Sequence, residues 1–184
     1  MNHARPLDQP HQATRPPTLL ALPLISRVRR NHALEHATMH VLGERYRAAR
    51  LVGRSSLWGF YLYGDVPTES VVAAAQEGLR RLKAGQWQMA IHPHCGSNLA
   101  VTGVLAGLAA FLAMSGKCKN WLHRLSRLPL ACAAATVGVL LAQPLGPVLQ
   151  TRLTTQANVG NMRITEVSRE QRAGIVVHQI RTDA

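Results

Sequence analysis

The chain has 184 residues, enough for one compact domain or for a smaller domain joined to a membrane hairpin. Its net charge of +12 comes from basic residues spread along the chain, without a nucleic-acid motif or interleaved aromatics. This pattern argues against nucleic acid as a partner and favours anionic membrane lipids. Three cysteines without paired spacing argue against a disulfide framework and favour a reducing compartment.

The sequence of the N-terminal region predicts a disordered tail followed by an amphipathic helix. Residues 1–17 are polar and rich in proline, which is typical of disorder. Residues 18–25 are apolar but short and lack a signal-peptide cleavage site, so we expect an interfacial patch or a strap. Residues 27–42 have apolar positions at helical spacing. The opposite face of that helix carries His32, Glu35, His36, Met39 and His40.

The patterns that follow predict a small sheet. Residues 56–65 are rich in aromatics and bounded by turn residues, and residues 87–92 alternate in polarity, so both are predicted strands. Residues 68–84 form a predicted helix between them. Residues 162–167 and 174–180 predict a C-terminal β-hairpin. We expect one sheet made of the two strands and this hairpin, with two helices packed on it.

Two long segments, residues 97–115 and 128–150, contain no charged side chain. They are close to the length needed to cross a bilayer, and their connector is short and basic, with Trp121 as an interface anchor. Pro144 and Pro147 predict a break near the end of the second segment. These features favour a transmembrane hairpin over a buried helical hairpin.

The predicted fold class is therefore α+β, with a small sheet, two packed helices, and a two-helix transmembrane hairpin inserted before a C-terminal β-hairpin. The expected organisation is a tail at 1–17, an α/β domain at 18–96, the membrane hairpin at 97–150, and a β-hairpin at 151–184 that completes the domain.

His32 and His36 are four residues apart, so a helix places both imidazoles on one face, as two ligands of one zinc ion require. Glu35 lies beside them, where a carboxylate can act as the base toward a water activated by the metal. The alternative without a metal site is that this face is the solvent-exposed side of the helix.

A third ligand is expected from the turn at residues 92–98. Cys95 is the first choice because a thiolate is a good zinc ligand and a following helix N-terminus favours its charge. His94 and His92 are the alternatives. Glu166 is a candidate fourth ligand that nothing in the sequence places near the others.

The string His32-Ala33-Leu34-Glu35-His36 resembles the H-x-x-E-H motif of the inverzincin peptidases. It is also similar to S-ribosylhomocysteine lyase, whose H-T-L-E-H motif and later cysteine bind one metal, with the glutamate as base. The resemblance implies His32, His36 and Cys95 as ligands and Glu35 as base. The chain has no cysteine before Cys95 to match the lyase's additional catalytic cysteine, which argues against the lyase reaction.

A broader resemblance covers most of the chain. Residues 31–38, the pair Tyr63-Gly64, and residues 92–96 look like an uncharacterised bacterial family of two-span membrane proteins. This resemblance implies the architecture and supplies no activity.

The function expected from these features is a membrane-anchored, zinc-dependent hydrolase, with a peptidase as one form. One alternative is a non-catalytic membrane scaffold or assembly subunit of a larger complex. Another is a sensor that binds metal or haem through His32, His36 and His40. The expected partners are membrane lipids and either a membrane protein complex or further copies of this chain. We expect a multi-pass protein of the bacterial inner membrane. Basic loops tend to lie in the cytoplasm, so the basic connector favours a motif domain on the outer side of the membrane. Arg80, Arg81 and the free cysteines instead favour a motif domain in the cytoplasm, which we prefer.

Overall fold

The computed structural model describes residues 19–116 and 120–183, so the expected tail at 1–17 lies outside the described residues. The chain has an α+β fold with a four-stranded antiparallel sheet. Its elements in chain order are α1 (Pro23–Arg45), β1 (Val52–Ser56), β2 (Gly59–Tyr63), α2 (Thr68–Lys83), a 3₁₀ turn (Trp87–Ala90), α3 (Gly96–Met114), α4 (Trp121–Leu125), α5 (Leu128–Leu149), a π-helical turn (Gln150–Thr154), β3 (Arg163–Arg172) and β4 (Ile175–Asp183).

The strand order in the sheet is β1-β2-β4-β3. The predicted C-terminal hairpin is confirmed, and it returns to the first part of the domain because β4 pairs with β2, from Gly59 opposite Arg181 to Tyr63 opposite Val177. The apolar helices α3 and α5 are therefore inserted between the second and third strands of one sheet.

The single strand predicted over residues 56–65 is wrong in its detail. The segment begins with the end of β1, turns at Leu57 and Trp58, and continues as β2. The turn lacks the Asn-Gly or Asp-Gly pair that usually marks a two-residue hairpin, so the alternation alone did not reveal it.

The strand predicted over residues 87–92 is also wrong, because Trp87–Ala90 forms a 3₁₀ turn. Three alternating pairs are too few to distinguish a strand from another short buried segment. Instead of pairing with a strand, the carbonyl groups of Ala90 and Ile91 accept hydrogen bonds from His36 and His40 of α1. The two neighbours of β2 in the sheet are β1 and β4.

Helices α1 and α2 pack together and against the sheet to enclose the core. The largest buried apolar side chains come from α1, β2, β4 and the segment before β3, namely Leu34, Leu42, Phe60, Leu62, Met162 and Ile180. The polar face of α1 is covered as well, because Glu35 and His36 are only 4% and 1% exposed. It is therefore not a solvated helix side.

Helices α3 and α5 form an apolar hairpin with small residues along the contact. Ala131, Gly138, Ala142 and Gly146 are the buried residues of α5, and a Cβ at Gly138 would lie 2.7 Å from the Leu105 carbonyl oxygen. Small residues of this kind let two helix backbones approach closely. The predicted break lies later than expected, since α5 continues through both prolines to Leu149 before the π-helical turn.

Among the described residues, two helical stretches, Gly96–Met114 and Trp121–Thr154, are long and apolar enough to cross a membrane, by length and composition. No residue of α3 is buried. A helix that is apolar on all sides and exposed is typical of contact with lipid or with another protein.

Candidate metal centre

Two histidines of α1 present the same ring nitrogen to one point. The Nδ1–H of His32 donates to the Thr154 carbonyl oxygen at 2.9 Å, and the Nδ1–H of His36 donates to the Ala90 carbonyl oxygen at 2.7 Å. Since a carbonyl can only accept, these bonds assign the proton to Nδ1 in both rings. Nε2 of each ring is left to accept a proton or to bind a metal.

Cys95 completes a three-residue cluster with these histidines. It directly precedes α3, and its Sγ lies 3.3 Å from Nε2 of His32. The three potential ligand atoms of His32, His36 and Cys95 all lie within 4.8 Å of one another. The structure therefore brings together the three residues that the sequence favoured as ligands, although they come from positions 63 residues apart.

The Cys95 thiol has a lower pKa than an ordinary cysteine. Burial alone would raise its pKa, but the neighbouring His32, His36 and Ser97 groups outweigh burial and lower the pKa to about 5. A thiolate is the form of cysteine that binds a metal. For His32, burial opposes the charged ring, while Cys95, Glu35 and the Thr154 carbonyl raise its pKa overall.

A buried nitrogen without a partner is independent support for a metal ion between His32, His36 and Cys95. Nε2 of His36 is buried and has no hydrogen-bond partner among the described residues. An orphaned buried nitrogen is costly, and a metal ligated at Nε2 would satisfy it. Histidine ligands of metals also commonly donate the other ring N–H to a carbonyl, as both rings do here.

Glu35 lies beside the cluster on the same helix, with its side chain against β1. The Ser55 hydroxyl donates to its Oε2, and the space for its carboxyl exists because Gly53 has no side chain. Burial raises the pKa of Glu35, although the Ser55 hydrogen bond and the two histidines act against that rise. The carboxyl of Glu35 therefore keeps its proton to a higher pH than an exposed carboxyl does.

The remaining histidines of the region lie outside the cluster. His92 has its ring centre 5.7 Å from that of His36 and 5.1 Å from that of His40. Burial and the neighbouring His36, His40 and His94 lower the pKa of His92 to about 4, so its ring is neutral at neutral pH. His94 is exposed, with its ring centre 6.0 Å from that of His92.

His40 differs from the two ligand histidines in its orientation. It uses Nε2 rather than Nδ1 to donate to a backbone carbonyl, that of Ile91 at 2.7 Å. The cluster of converging ligand atoms contains His32, His36 and Cys95 but not His40. Glu166 lies on β3, is exposed, and faces Arg181 at 3.8 Å.

Sequence reasoning missed a buried polar network that holds the turn before α3. Gln150 is fully buried, accepts from the His92 backbone N–H at 2.8 Å, and donates to the His92 carbonyl and to the Asn98 side chain. These bonds join the end of α5 to the segment that carries Cys95. The only sequence signal was a polar residue at the end of an apolar run.

The comparisons with known proteins agree on an uncharacterised family. The family model described as a domain of unknown function (DUF6391) matches residues 27–167, a range that includes the cluster and both apolar helices. An uncharacterized protein of Picosynechococcus sp. (strain ATCC 27264 / PCC 7002 / PR-6) is 36% identical over 153 residues, covering 76% of this chain and 71% of that protein. No solved structure matches the chain significantly. The chain therefore belongs to the DUF6391 family of domains of unknown function.

Proposed function

We propose that this protein is a membrane-anchored, zinc-dependent hydrolase, with peptide bonds as the first substrate class to test. The observation that carries the proposal is that two Nε2 atoms and one thiol lie within 4.8 Å of one another. The other nitrogen of each ring, Nδ1, already donates to a backbone carbonyl.

The donor set supports zinc over other metals. Two imidazoles and one thiolate suit an ion that accepts both nitrogen and sulfur, whereas magnesium and calcium prefer oxygen ligands. Three protein ligands also leave one position of a tetrahedral site open, which distinguishes catalytic zinc sites from structural ones. His32, His36 and Cys95 are the proposed ligands.

Glu35 is the proposed base. When bound, zinc supplies a Lewis acid that lowers the pKa of a coordinated water toward about 7. The carboxyl of Glu35 is one residue from a proposed ligand, is buried, and is oriented by Ser55. Its raised pKa suits a group that takes a proton from water and returns it to a leaving group.

The substrate is proposed to lie close to the membrane surface. Cys95 immediately precedes α3, and Thr154, which orients His32, ends the π-helical turn after α5. The proposed centre is thus linked to both ends of the apolar hairpin. We propose insertion of α3 and α5 in the bacterial inner membrane, with the sheet and the metal centre on the cytoplasmic side.

The variant Glu35→Gln tests the catalytic part of the proposal. It should keep stoichiometric zinc, because Glu35 is not a proposed ligand, and lose at least about a hundredfold of turnover, the contribution typical of a general base. The assay is hydrolysis of a quenched-fluorescence peptide library by zinc-loaded protein in detergent.

Glu44→Gln is the matched control, because Glu44 is an exposed carboxylate on the same helix, paired with Arg81. It should behave as the wild type. Equal turnover by the Glu35→Gln and wild-type proteins would contradict a role for Glu35 as base, and absence of peptide hydrolysis by the wild type would exclude the peptidase form.

A non-catalytic membrane subunit is the second candidate, favoured by the exposed apolar surface of α3. Such a protein would use this surface to bind lipids or partner helices. It would tolerate Glu35→Gln in a functional assay in cells but not polar substitutions on the apolar helices.

A further inference from the structure

We propose that a basic cavity, shallow and largely open to solvent, between the first turns of α1 and the C-terminal hairpin binds a phosphate-bearing anion, with an anionic phospholipid headgroup as its source. The cavity has a volume of about 440 Å³ and lies apart from the candidate metal centre. Its lining residues are Arg27, Arg30, Asn161, Met162, Arg163 and Asp183.

The charges of the lining residues favour an anion. Three arginines face one carboxylate, and the Asp183 carboxylate already accepts the backbone N–H of Arg163 at 2.8 Å. Within residues 19–116 and 120–183, none of the three arginine side chains forms a salt bridge. The excess of two positive charges matches a phosphate monoester, and arginine binds phosphate oxygens in a bidentate manner.

The guanidinium group of Arg27 is held in place before any ligand binds, and that of Arg30 is partly buried beside it. Arg27 donates from Nη2 to the Thr182 carbonyl oxygen and lies over the Trp58 ring at 4.9 Å. The Nε atoms of Arg27 and Arg30 are buried, and neither has a hydrogen-bond partner among the described residues. The side chains are therefore packed against protein rather than free in solvent, which lowers the entropy lost on binding.

The position of the cavity favours a lipid as the source of the phosphate. Arg29, between the two cavity arginines of α1, donates to the carbonyl oxygens of Arg152 and Thr155, directly after α5. The residues just before this part of α1 include the exposed leucines Leu19, Leu22 and Leu24. This part of the inference rests on the proposed membrane insertion of α5, whereas the anion site itself does not.

Binding measurements on the full chain in an uncharged detergent test the proposal. The probes are short-chain phosphatidic acid, phosphatidylcholine of the same chain length, and inorganic phosphate, each titrated by calorimetry. Phosphatidic acid should bind at least about tenfold more tightly than the other two probes. Arg30→Gln and Arg163→Gln should each weaken its binding about tenfold, as expected when one charge-assisted hydrogen bond is lost.

Arg169→Gln is the matched control, because Arg169 is an exposed arginine on the same strand as Arg163 and does not line the cavity. It should leave phosphatidic acid binding unchanged. If inorganic phosphate binds as tightly as phosphatidic acid, the anion site stands and the lipid source is overturned. If phosphatidic acid and phosphatidylcholine bind alike, or if Arg169→Gln weakens binding as much as Arg163→Gln, the site is overturned.

Discussion

At the scale of single residues, the carboxyl of Glu35 depends on a glycine in the neighbouring strand. A Cβ at Gly53 would overlap this carboxyl, so the carboxyl can occupy its present position only because position 53 lacks a side chain. The glycine thus acts on the proposed base without touching the cluster of potential ligands.

Gly53→Ala should cost little stability, because the far end of the flexible Glu35 side chain can move aside, and it should lower turnover while zinc is retained. Thermal unfolding, zinc content and peptide hydrolysis of the variant measure these effects. Gly43→Ala is the control, because a Cβ at this position of α1 meets no atom within 4 Å. It should stabilise the helix by about 0.5–1 kcal/mol. Unchanged turnover in Gly53→Ala would contradict a role for this glycine in placing the Glu35 carboxyl.

His178 introduces a dependence of stability on pH away from the candidate centre. The His178 side chain on β4 is fully buried, with Nε2 3.2 Å from the Thr68 hydroxyl. Burial, then Arg169, lowers the pKa of His178 against the smaller opposing effect of Asp65. The unfolded chain therefore binds a proton at a higher pH than the folded chain.

Because the folded pKa of His178 is depressed, its neutral form contributes stability above pH ~6.5, and this contribution is lost as the pH falls toward the folded pKa. His178→Gln should therefore narrow the difference in melting temperature between pH 7.5 and pH 5. His123→Gln, at an exposed position in α4, should leave the difference as in the wild type. A difference that is the same in His178→Gln and the wild type would contradict a lowered pKa of His178 in the folded protein.

At the scale of elements, the candidate centre is assembled where the apolar hairpin joins the sheet domain. Gln150, at the end of α5, holds the turn that carries Cys95 through the backbone of His92 and the side chain of Asn98. The position of the thiol therefore depends on α3, which follows the turn, and on the end of α5, which is bonded to it.

Gln150→Leu should weaken zinc binding about 10- to 100-fold, a range typical for loss of residues that orient metal ligands. Competition with a chromogenic chelator measures the affinity. Gln143→Leu is the matched control, because Gln143 is an exposed glutamine on the same helix. It should bind zinc as the wild type does. Loss of affinity in both variants would indicate a general effect on α5 rather than on the turn.

The sequence predicted those elements whose signal is local. The period of α1, the uncharged lengths of α3 and α5, and the alternation in the C-terminal hairpin are properties of contiguous residues. The β1–β2 turn and the 3₁₀ turn were missed because each depends on what packs against it. The carbonyl of Ala90 has no sequence signature, yet it orients His36.

The same distinction applies to the candidate site. His32, Glu35 and His36 share a helix face, so their proximity follows from spacing alone. Cys95 was selected by its chemistry and by its place before a helix, and the structure brings it to the same point. The partners Thr154, Ser55 and Gln150 could not be predicted, because they come from separate elements whose packing is a property of the whole fold.

At the scale of the whole molecule, two apolar helices interrupt a sheet domain and remain largely exposed. The domain cannot be completed until β3 and β4, which follow the hairpin, pair with β2. The three proposed ligands likewise come from before the hairpin, while the carbonyl that orients His32 comes from after it. Formation of the centre is thus coupled to completion of the fold.

Zinc-edge X-ray absorption of the detergent-purified full chain, with its zinc content, tests the central claim most directly. We expect one zinc per chain, with two nitrogen ligands at about 2.0–2.1 Å and one sulfur ligand at about 2.3 Å. Cys95→Ser should lose the sulfur contribution, whereas His94→Ala should leave the spectrum unchanged. Absence of stoichiometric zinc, or a zinc shell without sulfur in the wild type, would contradict the proposed centre.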